Sequence, residues 1–167
     1  MAPAPHFREV QRFRQPWLWA VLLSGLAFLG FAIYSQVVER QPLGNHPASD
    51  SHLLLIGVLY LLMVAWFALI ALVTEVYDDF IRVQMLWMWV PKRIPFRDIK
   101  TAQAVTYRPI LEYGGWGIRR GTNGWAYNIS GNRGVRLQYQ NGKTFLIGSR
   151  RAEELALAIQ ARLGARS

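Results

Sequence analysis

Two long apolar blocks mark the first half of the sequence. Residues 15–38 contain no charged side chain, and residues 51–74 contain none when His52 is taken as neutral. Each block has 24 residues. As helices they would reach about 36 Å, enough to cross a hydrocarbon core of about 30 Å. The pattern predicts two transmembrane helices joined by an extracytoplasmic loop at residues 39–50.

A pair of core helices and a signal peptide both fit these blocks less well. Buried helices of a soluble protein seldom have apolar runs of this length. A cleavable signal peptide has an apolar region of only about 7–15 residues followed by a small-residue cleavage site. The first block is longer than that and lacks a convincing site of this kind. Bilayer-spanning helices therefore remain the prediction.

Residues 75–167 have the alternating pattern of a β-rich domain. From Phe80 to Val90, every second residue is apolar and the residues between them include Arg82 and Gln84, which predicts a strand with one apolar face. Further strands are predicted at 101–107, 135–140 and 143–148, with a type I′ turn at Asn141–Gly142 between the last two. The apolar face of the first strand comprises Ile81, Val83, Met85, Trp87 and Trp89.

An amphipathic C-terminal helix is predicted after these strands. Glu153 and Glu154 suit its first turn, Ser149 is a candidate N-cap, and Gly164 marks its end. The predicted fold class is α+β: a transmembrane helical hairpin followed by a small β-barrel or sandwich that this helix caps. The apolar face of the helix comprises Ala152, Leu155, Ile159 and Leu163.

The positions of basic residues predict the orientation. Three arginines precede the first block and three basic residues follow the second, whereas the loop between them has only Arg40. Cytoplasmic segments carry the excess of Lys and Arg. Residues 1–14 are therefore predicted as a basic cytoplasmic tail and residues 75–167 as a cytoplasmic domain. The flanking basic residues are Arg8, Arg12, Arg14, Arg82, Lys92 and Arg93.

Some residues within the first block suggest specific contacts. Trp17 and Trp19 lie where the helix would enter the membrane, and tryptophan side chains suit that interface. Ala20 and Ser24 are small and four residues apart, which predicts a face for close approach of the second helix. Neither block contains Asp, Glu, Lys or Arg, so an ion or proton path through this chain alone is not expected.

The charge balance bears on the partners. The chain has 19 Lys and Arg against 10 Asp and Glu, and residues 75–167 hold 15 and 7 of these. For a tethered basic domain the nearest polyanion is the lipid bilayer, where anionic headgroups attract Lys and Arg. Nucleic acid is not expected, because no recognition helix or RNP-like pattern occurs. Other membrane proteins, or further copies of the chain, are the remaining candidate partners.

Several segments together resemble a known family. These are the stretches 107–121 and 126–135, the strand entry at 94–99 and the helix start at 146–151. They resemble small bacterial membrane proteins that have two N-terminal spans and a cytoplasmic domain like the pleckstrin-homology (PH) domain. The resemblance covers essentially the whole chain. It implies a PH-like fold at the cytoplasmic face of a bacterial membrane, and it implies no established activity or cofactor.

The glycine- and tryptophan-rich motif of this family has two interpretations. It is not expected to cradle a phosphate, because no helix N-terminus and no Gly-Lys-Ser or Gly-Lys-Thr follows it. A structural role is favoured over a binding site: Glu112 would pair with Arg119, and Arg108 and Arg133 would bond backbone carbonyls. The motif candidates are Arg108, Glu112, Gly114, Gly115, Trp116, Gly117, Arg119, Tyr127, Gly131, Arg133 and Gly134.

A second candidate surface lies at residues 86–93. Trp87 and Trp89 stand close to Lys92 and Arg93, a combination suited to a bilayer interface with anionic headgroups. Alternatively, both tryptophans continue the apolar face of the strand into the core. The sequence leaves both interpretations open.

An enzymatic function is not expected. The chain has no cysteine, and His6, His46 and His52 all precede the β-rich domain. Asp78 and Asp79 would point to opposite faces of a strand, a poor arrangement for acid–base catalysis or a metal. The leading hypothesis is a non-catalytic, membrane-anchored binding or scaffolding module. The alternatives are an accessory subunit of a larger membrane complex and a membrane enzyme with an unrecognised site.

Overall fold

The structure, a computed structural model, describes residues 4–88, 90–121 and 124–165. It divides into two compact units: a helical unit, Arg14–Leu69, and a sheet unit, Met1–Phe13 with Ile70–Ser167. The predicted α+β class is confirmed, with two long apolar helices, β-sheets after them and a C-terminal helix.

The helical unit consists of two helices that are long and apolar enough to cross a membrane. Helix α1 spans Pro16–Ile33 and continues as a π-helical turn, Tyr34–Val38; helix α2 spans Asp50–Leu69. Pro16 suits the first turn of α1, where its missing N–H has no helical partner to lose. Both helices are apolar on every side, yet most of their side chains are exposed, whereas a helix of this kind normally buries its surface in a protein core or in a membrane.

The two helices approach each other at glycines. The Tyr60 hydroxyl donates a hydrogen bond of 3.2 Å to the carbonyl oxygen of Leu22. A Cβ atom on Gly25 would overlap the Tyr60 hydroxyl, and one on Gly57 would press on the Ile33 side chain. The prediction that Ala20 and Ser24 form the contact face is wrong, because both are exposed. Because glycine has no side chain, Gly25 and Gly57 each leave room for a side chain of the other helix.

The second helix ends earlier than the predicted span 51–74. Residues Ala71–Val76 form strand β2 of the sheet unit, and Ala71 and Leu72 are completely buried there. A short apolar run fits a buried strand as well as the end of a helix, so periodicity alone does not separate the two.

Four strands form an antiparallel sheet in the order β1-β2-β3-β4. They are β1 (Phe7–Arg12), β2, β3 (Phe80–Leu86) and β4 (Lys92–Pro95). Strand β1 differs from the prediction of residues 1–14 as a basic tail. It pairs with β2 in continuous register from Phe7 opposite Val76 to Arg12 opposite Ala71. The helical unit is therefore an insertion between two paired neighbouring strands.

A second sheet has the order β5-β8-β9-β7-β6. Its strands are β5 (Ile99–Thr106), β6 (Gly117–Gly121), β7 (Gly124–Asn128), β8 (Arg133–Tyr139) and β9 (Thr144–Gly148), and only β7 and β9 pair in parallel. A 3₁₀ turn, Phe96–Asp98, leads into β5, and a short helix α3, Pro109–Tyr113, separates β5 from β6.

The β8–β9 hairpin is confirmed, but its turn is not type I′. Gly142 has φ +80°, whereas Asn141 is not among the residues with positive φ. The Gly142 N–H donates to the Tyr139 carbonyl, and the Tyr139 N–H donates to the Lys143 carbonyl. This is a three-residue loop in which one left-handed glycine closes the hairpin.

Helix α4, Ala152–Gly164, packs against β5 and β8. Its buried residues Ala152, Leu155, Ala156 and Ile159 match the predicted face, except that Leu163 is only half-buried. Arg151 occupies the N-cap position, and the Ser149 hydroxyl accepts a hydrogen bond of 3.0 Å from the Arg151 N–H. The Gln160 amide donates to the Ala102 carbonyl oxygen at 2.7 Å, which fixes the helix on β5.

Strand β1 turns polar side chains inward. Its Gln11 amide donates a hydrogen bond of 2.8 Å to the Gly148 carbonyl oxygen. The Glu9 carboxylate accepts bonds from the Ser149 hydroxyl, at 2.6 Å, and from the Arg150 N–H, at 3.0 Å. Buried polar groups are tolerated when they are bonded in this way. The N-terminal strand is thereby joined to the segment that begins α4.

Candidate functional site

One end of the four-stranded sheet carries both connections to the helical unit. Arg12 at the end of β1 lies opposite Ala71, the first residue of β2, and Ala71 lies opposite Leu86 at the end of β3. We call this the entry end of the sheet. Residues 13–15 lead from β1 into α1, and residue 70 leads from α2 into β2. Because each residue spans at most about 3.6 Å, both connections are short.

The loop after β3 projects from this end with apolar side chains. Trp87 is 68% exposed and has φ +63°. The alternation of buried Ile81, Val83 and Met85 stops before it, because the chain turns and the Met88 N–H bonds the Met85 carbonyl. Met88 and Val90 are also exposed. Trp87 is therefore not part of the core; Trp89 lies outside the described residues.

Lys92 and Arg93 follow this loop but differ in environment. The Lys92 ammonium lies 4.3 Å from the ring centre of Phe145, and partial burial lowers the pKa of Lys92 below its ordinary value. Arg93 is exposed, and its guanidinium lies 5.3 Å from the ring centre of Phe80. Lys92 thus belongs to the surface beside β9, whereas Arg93 remains beside the exposed loop.

The family motif forms the α3–β6 connection. The Glu112 carboxylate accepts bonds from the Arg108 N–H, at 2.7 Å, and from Arg136, at 3.3 Å, so the expected Glu112–Arg119 pair is wrong. Arg119 donates instead to the Trp116 carbonyl oxygen at 3.0 Å. The Trp116 indole N–H donates to the Gly131 carbonyl oxygen at 2.9 Å. These bonds hold the turn together.

Other motif residues also make structural contacts. Arg133 pairs with Glu153 of α4, rather than with the backbone carbonyls that the sequence suggested. The Tyr127 ring packs against Phe145 with 5.1 Å between ring centres. A Cβ atom on Gly134 would collide with the Ile147 carbonyl oxygen. Positive φ angles, which only glycine adopts readily, occur at Gly114, Gly115, Gly117 and Gly131.

A third surface, which sequence reasoning missed, is a groove between the β6–β7 and β8–β9 hairpins. It consists of two adjoining clefts of about 620 and 460 Å³ that share Trp125, Lys143 and Thr144. Arg120 lines the first cleft and Lys92 the second. We call this the basic groove.

The parallel pairing of β7 with β9 creates this groove. Trp125 lies opposite Phe145, so the two strands start at the same end and their hairpins lie side by side. Gly124, with φ +123°, permits the contact, because a Cβ atom there would collide with the Thr144 backbone. Trp125 is 46% exposed and lines both clefts of the groove.

The groove has a strong excess of positive charge. Within the described part of the chain, no acidic side chain pairs with Arg120, Lys143 or Lys92. Arg136 lines the first cleft but is paired with Glu112 at 3.3 Å. Asp98 lines the second cleft, 3.8 Å from Arg97. An anion placed here would offset uncompensated charges.

Asp78, Asp79 and His6 are not arranged as the sequence predicted. Asp78 and Asp79 lie in the turn between β2 and β3, not in a strand. Asp78 contacts His6 at 2.7 Å and Arg162 at 3.2 Å, so these groups connect β1, the turn and α4. No three His, Asp or Glu side chains converge as a metal site would need in residues 4–88, 90–121 and 124–165.

No protein-family model matches the chain, and no curated protein matches it.

Proposed function

We propose that this chain is a non-catalytic binding or scaffolding module held at the cytoplasmic face of a bacterial membrane. Helices α1 and α2 would span the bilayer, and the sheet unit would carry the binding surfaces. The large exposed apolar area of both helices supports this, because a soluble protein rarely leaves such an area in water. The lipid bilayer would then be the first partner of the chain.

The observation that carries the proposal is the insertion of the helical unit between β1 and β2. Two covalent connections join the helical unit to the same end of one sheet, and each has three residues or fewer. A single flexible linker would let a domain move widely away from the membrane. Two short connections would keep the sheet unit beside the bilayer, as a scaffold requires.

The exposed loop at the entry end supports a further contact with the bilayer. Trp87, Met88 and Val90 would reach the interface, where tryptophan side chains are favoured, and Arg93 would lie near anionic headgroups. The sheet unit carries an excess of basic residues, which favours the cytoplasmic side for both termini. The two sheets followed by α4 also support the PH-like assignment, as part of the same proposal.

Gentle detergent extraction of the tagged chain from its native membrane tests this proposal. A binding module is expected to leave the membrane fraction only with detergent and to migrate as a small stable species. A stoichiometric set of other subunits, found by native sizing and mass spectrometry, would favour the accessory-subunit hypothesis. Release by alkaline carbonate without detergent would contradict a membrane anchor.

Brominated lipids test the loop contact in the same full-length chain. In nanodiscs they should quench the Trp87 contribution, measured as the difference between wild-type and Trp87→Phe fluorescence. No quenching of this contribution would contradict placement of the loop at the interface.

A further inference from the structure

We infer that the basic groove binds an extended acidic peptide segment of a partner protein. This inference rests on the proposed function and specifies the ligand class of the module. The groove combines two features: cations without acidic partners among the described residues, and an exposed indole between them. The loop after β3, proposed to contact the bilayer, is a separate surface.

The arrangement of the cations favours an extended ligand. Arg120 lines only the first cleft and Lys92 only the second, while Lys143 and Trp125 line both. A compact anion such as one phosphate group would occupy one cleft and leave the other cation without a partner. A chain with acidic groups at intervals can meet both cations and cross Trp125 between them.

The uncharged lining also suits a peptide. Gln140 and Asn141 border the second cleft. The Gln140 amide nitrogen donates to the Ile99 carbonyl and the Asn141 amide oxygen accepts the Lys143 N–H, so the Gln140 oxygen can accept from a peptide backbone and the Asn141 nitrogen can donate to it. Trp125 offers a flat apolar surface for one apolar side chain of the segment. Aromatic and arginine side chains are enriched at the centres of protein interfaces relative to the rest of the protein surface.

The environment of Lys92 fits an incoming negative charge. Partial burial lowers its pKa, and its ammonium lies over the Phe145 ring without an acidic partner in the described residues. A carboxylate in the second cleft would favour the charged form of this side chain. Binding of an anionic group from a partner in the second cleft would therefore be favourable.

A matched pair of double variants tests the inference on the full-length chain in an uncharged detergent at low salt. Arg120→Gln with Lys143→Gln removes two exposed groove cations. Lys100→Gln with Arg150→Gln removes the same charge from exposed positions that do not line the groove. The probe is fluorescein-labelled octaglutamate, and binding is measured by fluorescence anisotropy. Thermal unfolding midpoints verify that both variants are folded.

The groove variant is expected to bind the probe about tenfold more weakly than wild type, and the control variant within about twofold. Equal loss in both variants would overturn the inference, because it would show general attraction to a basic domain. Absence of wild-type binding would overturn it as well.

Competition separates a peptide from a compact phosphate group. Glycerol phosphate should need at least about a hundredfold higher concentration than unlabelled octaglutamate to displace the probe, because it meets only one cleft. Displacement at similar concentrations would overturn the inference in favour of a headgroup site. None of these substitutions alters the helices, so a negative result here leaves the membrane-anchor proposal to its own test.

Discussion

The Glu9 carboxylate accepts a hydrogen bond of 2.6 Å from the Ser149 hydroxyl. The two residues lie on opposite sides of the helical unit in the chain, Glu9 before it and Ser149 after it. The same carboxylate accepts the Arg150 N–H, and Ser149 in turn accepts the Arg151 N–H. The strand that precedes the two apolar helices is therefore bonded to the start of the last helix.

Loss of this carboxylate should destabilise the sheet unit. Glu9→Ala would leave the Ser149 hydroxyl and the Arg150 N–H without their acceptor, at a cost of about 1–3 kcal/mol. Thermal or urea unfolding of the full chain in detergent measures the change. Glu39→Ala, in the exposed loop between the helices, is the matched control and should change stability little. Equal stability of the two variants would show that the Glu9 bonds contribute nothing.

Strand β1 shows why part of the fold escapes sequence analysis. Its inward residues include the polar Glu9 and Gln11, whereas the apolar Val10 is exposed, so the alternation does not resemble a strand with an apolar core face. The partners that satisfy these polar groups lie near residue 149 and have no local signature. The two long apolar helices, by contrast, follow from uninterrupted apolar runs, which depend only on local sequence.

One candidate surface could be predicted from the sequence, and another could not. Trp87 and its basic neighbours are adjacent in sequence and can be identified there. Arg120 and Lys143 come close because β7 and β9 pair in parallel, and Lys92 of β4 reaches the groove because its ammonium lies over Phe145 of β9. No short motif encodes either long-range contact. The family resemblance singles out the motif residues, but it does not reveal partners such as Arg136 for Glu112.

Gly124 should be intolerant of any side chain. Gly124→Ala would strain a residue with φ +123° and force the new Cβ against the Thr144 backbone. The expected loss is about 2–4 kcal/mol from backbone strain and overpacking together. Gly164→Ala is the control, because a Cβ atom at Gly164 would meet no described atom within 4 Å and its φ is not positive. Unfolding of both variants in urea gives the comparison; a Gly124→Ala protein as stable as the control would refute the close strand contact.

Helix pairing should depend on Gly25. Gly25→Leu would displace the Tyr60 ring and break its bond to the Leu22 carbonyl, which should weaken the pair by about 1–3 kcal/mol. Gly30→Leu adds the same side chain where nothing lies within 4 Å of the new Cβ. Pairing is measured by titrating the protein with SDS while the distance between spin labels on α1 and α2 is recorded. The helices of the Gly25→Leu protein should separate at a lower SDS concentration than those of the Gly30→Leu protein, and the reverse order would contradict the contact at Gly25.

The stability of the sheet unit should fall in alkali partly through Tyr139. Burial, with a smaller contribution from the charge of Asp98, raises the pKa of Tyr139 from 10.0 to about 12. Between these values the unfolded chain releases a proton that the folded chain keeps, so stability decreases as pH rises. Tyr139→Phe should lessen this decrease between pH 10 and about 12. Unfolding at several pH values gives the slopes, and identical slopes would contradict the raised pKa.

In the proposed topology, the helical pair crosses the bilayer and holds the sheet unit on one side. Because the chain contains no cysteine, single cysteines can be placed at Asn45 and Lys100 without a background. A membrane-impermeant maleimide applied to intact spheroplasts is expected to label the Asn45→Cys protein. The Lys100→Cys protein should react only after lysis. Labelling of both positions in intact spheroplasts, or protection of both until lysis, would show that the helices do not cross and would contradict the account.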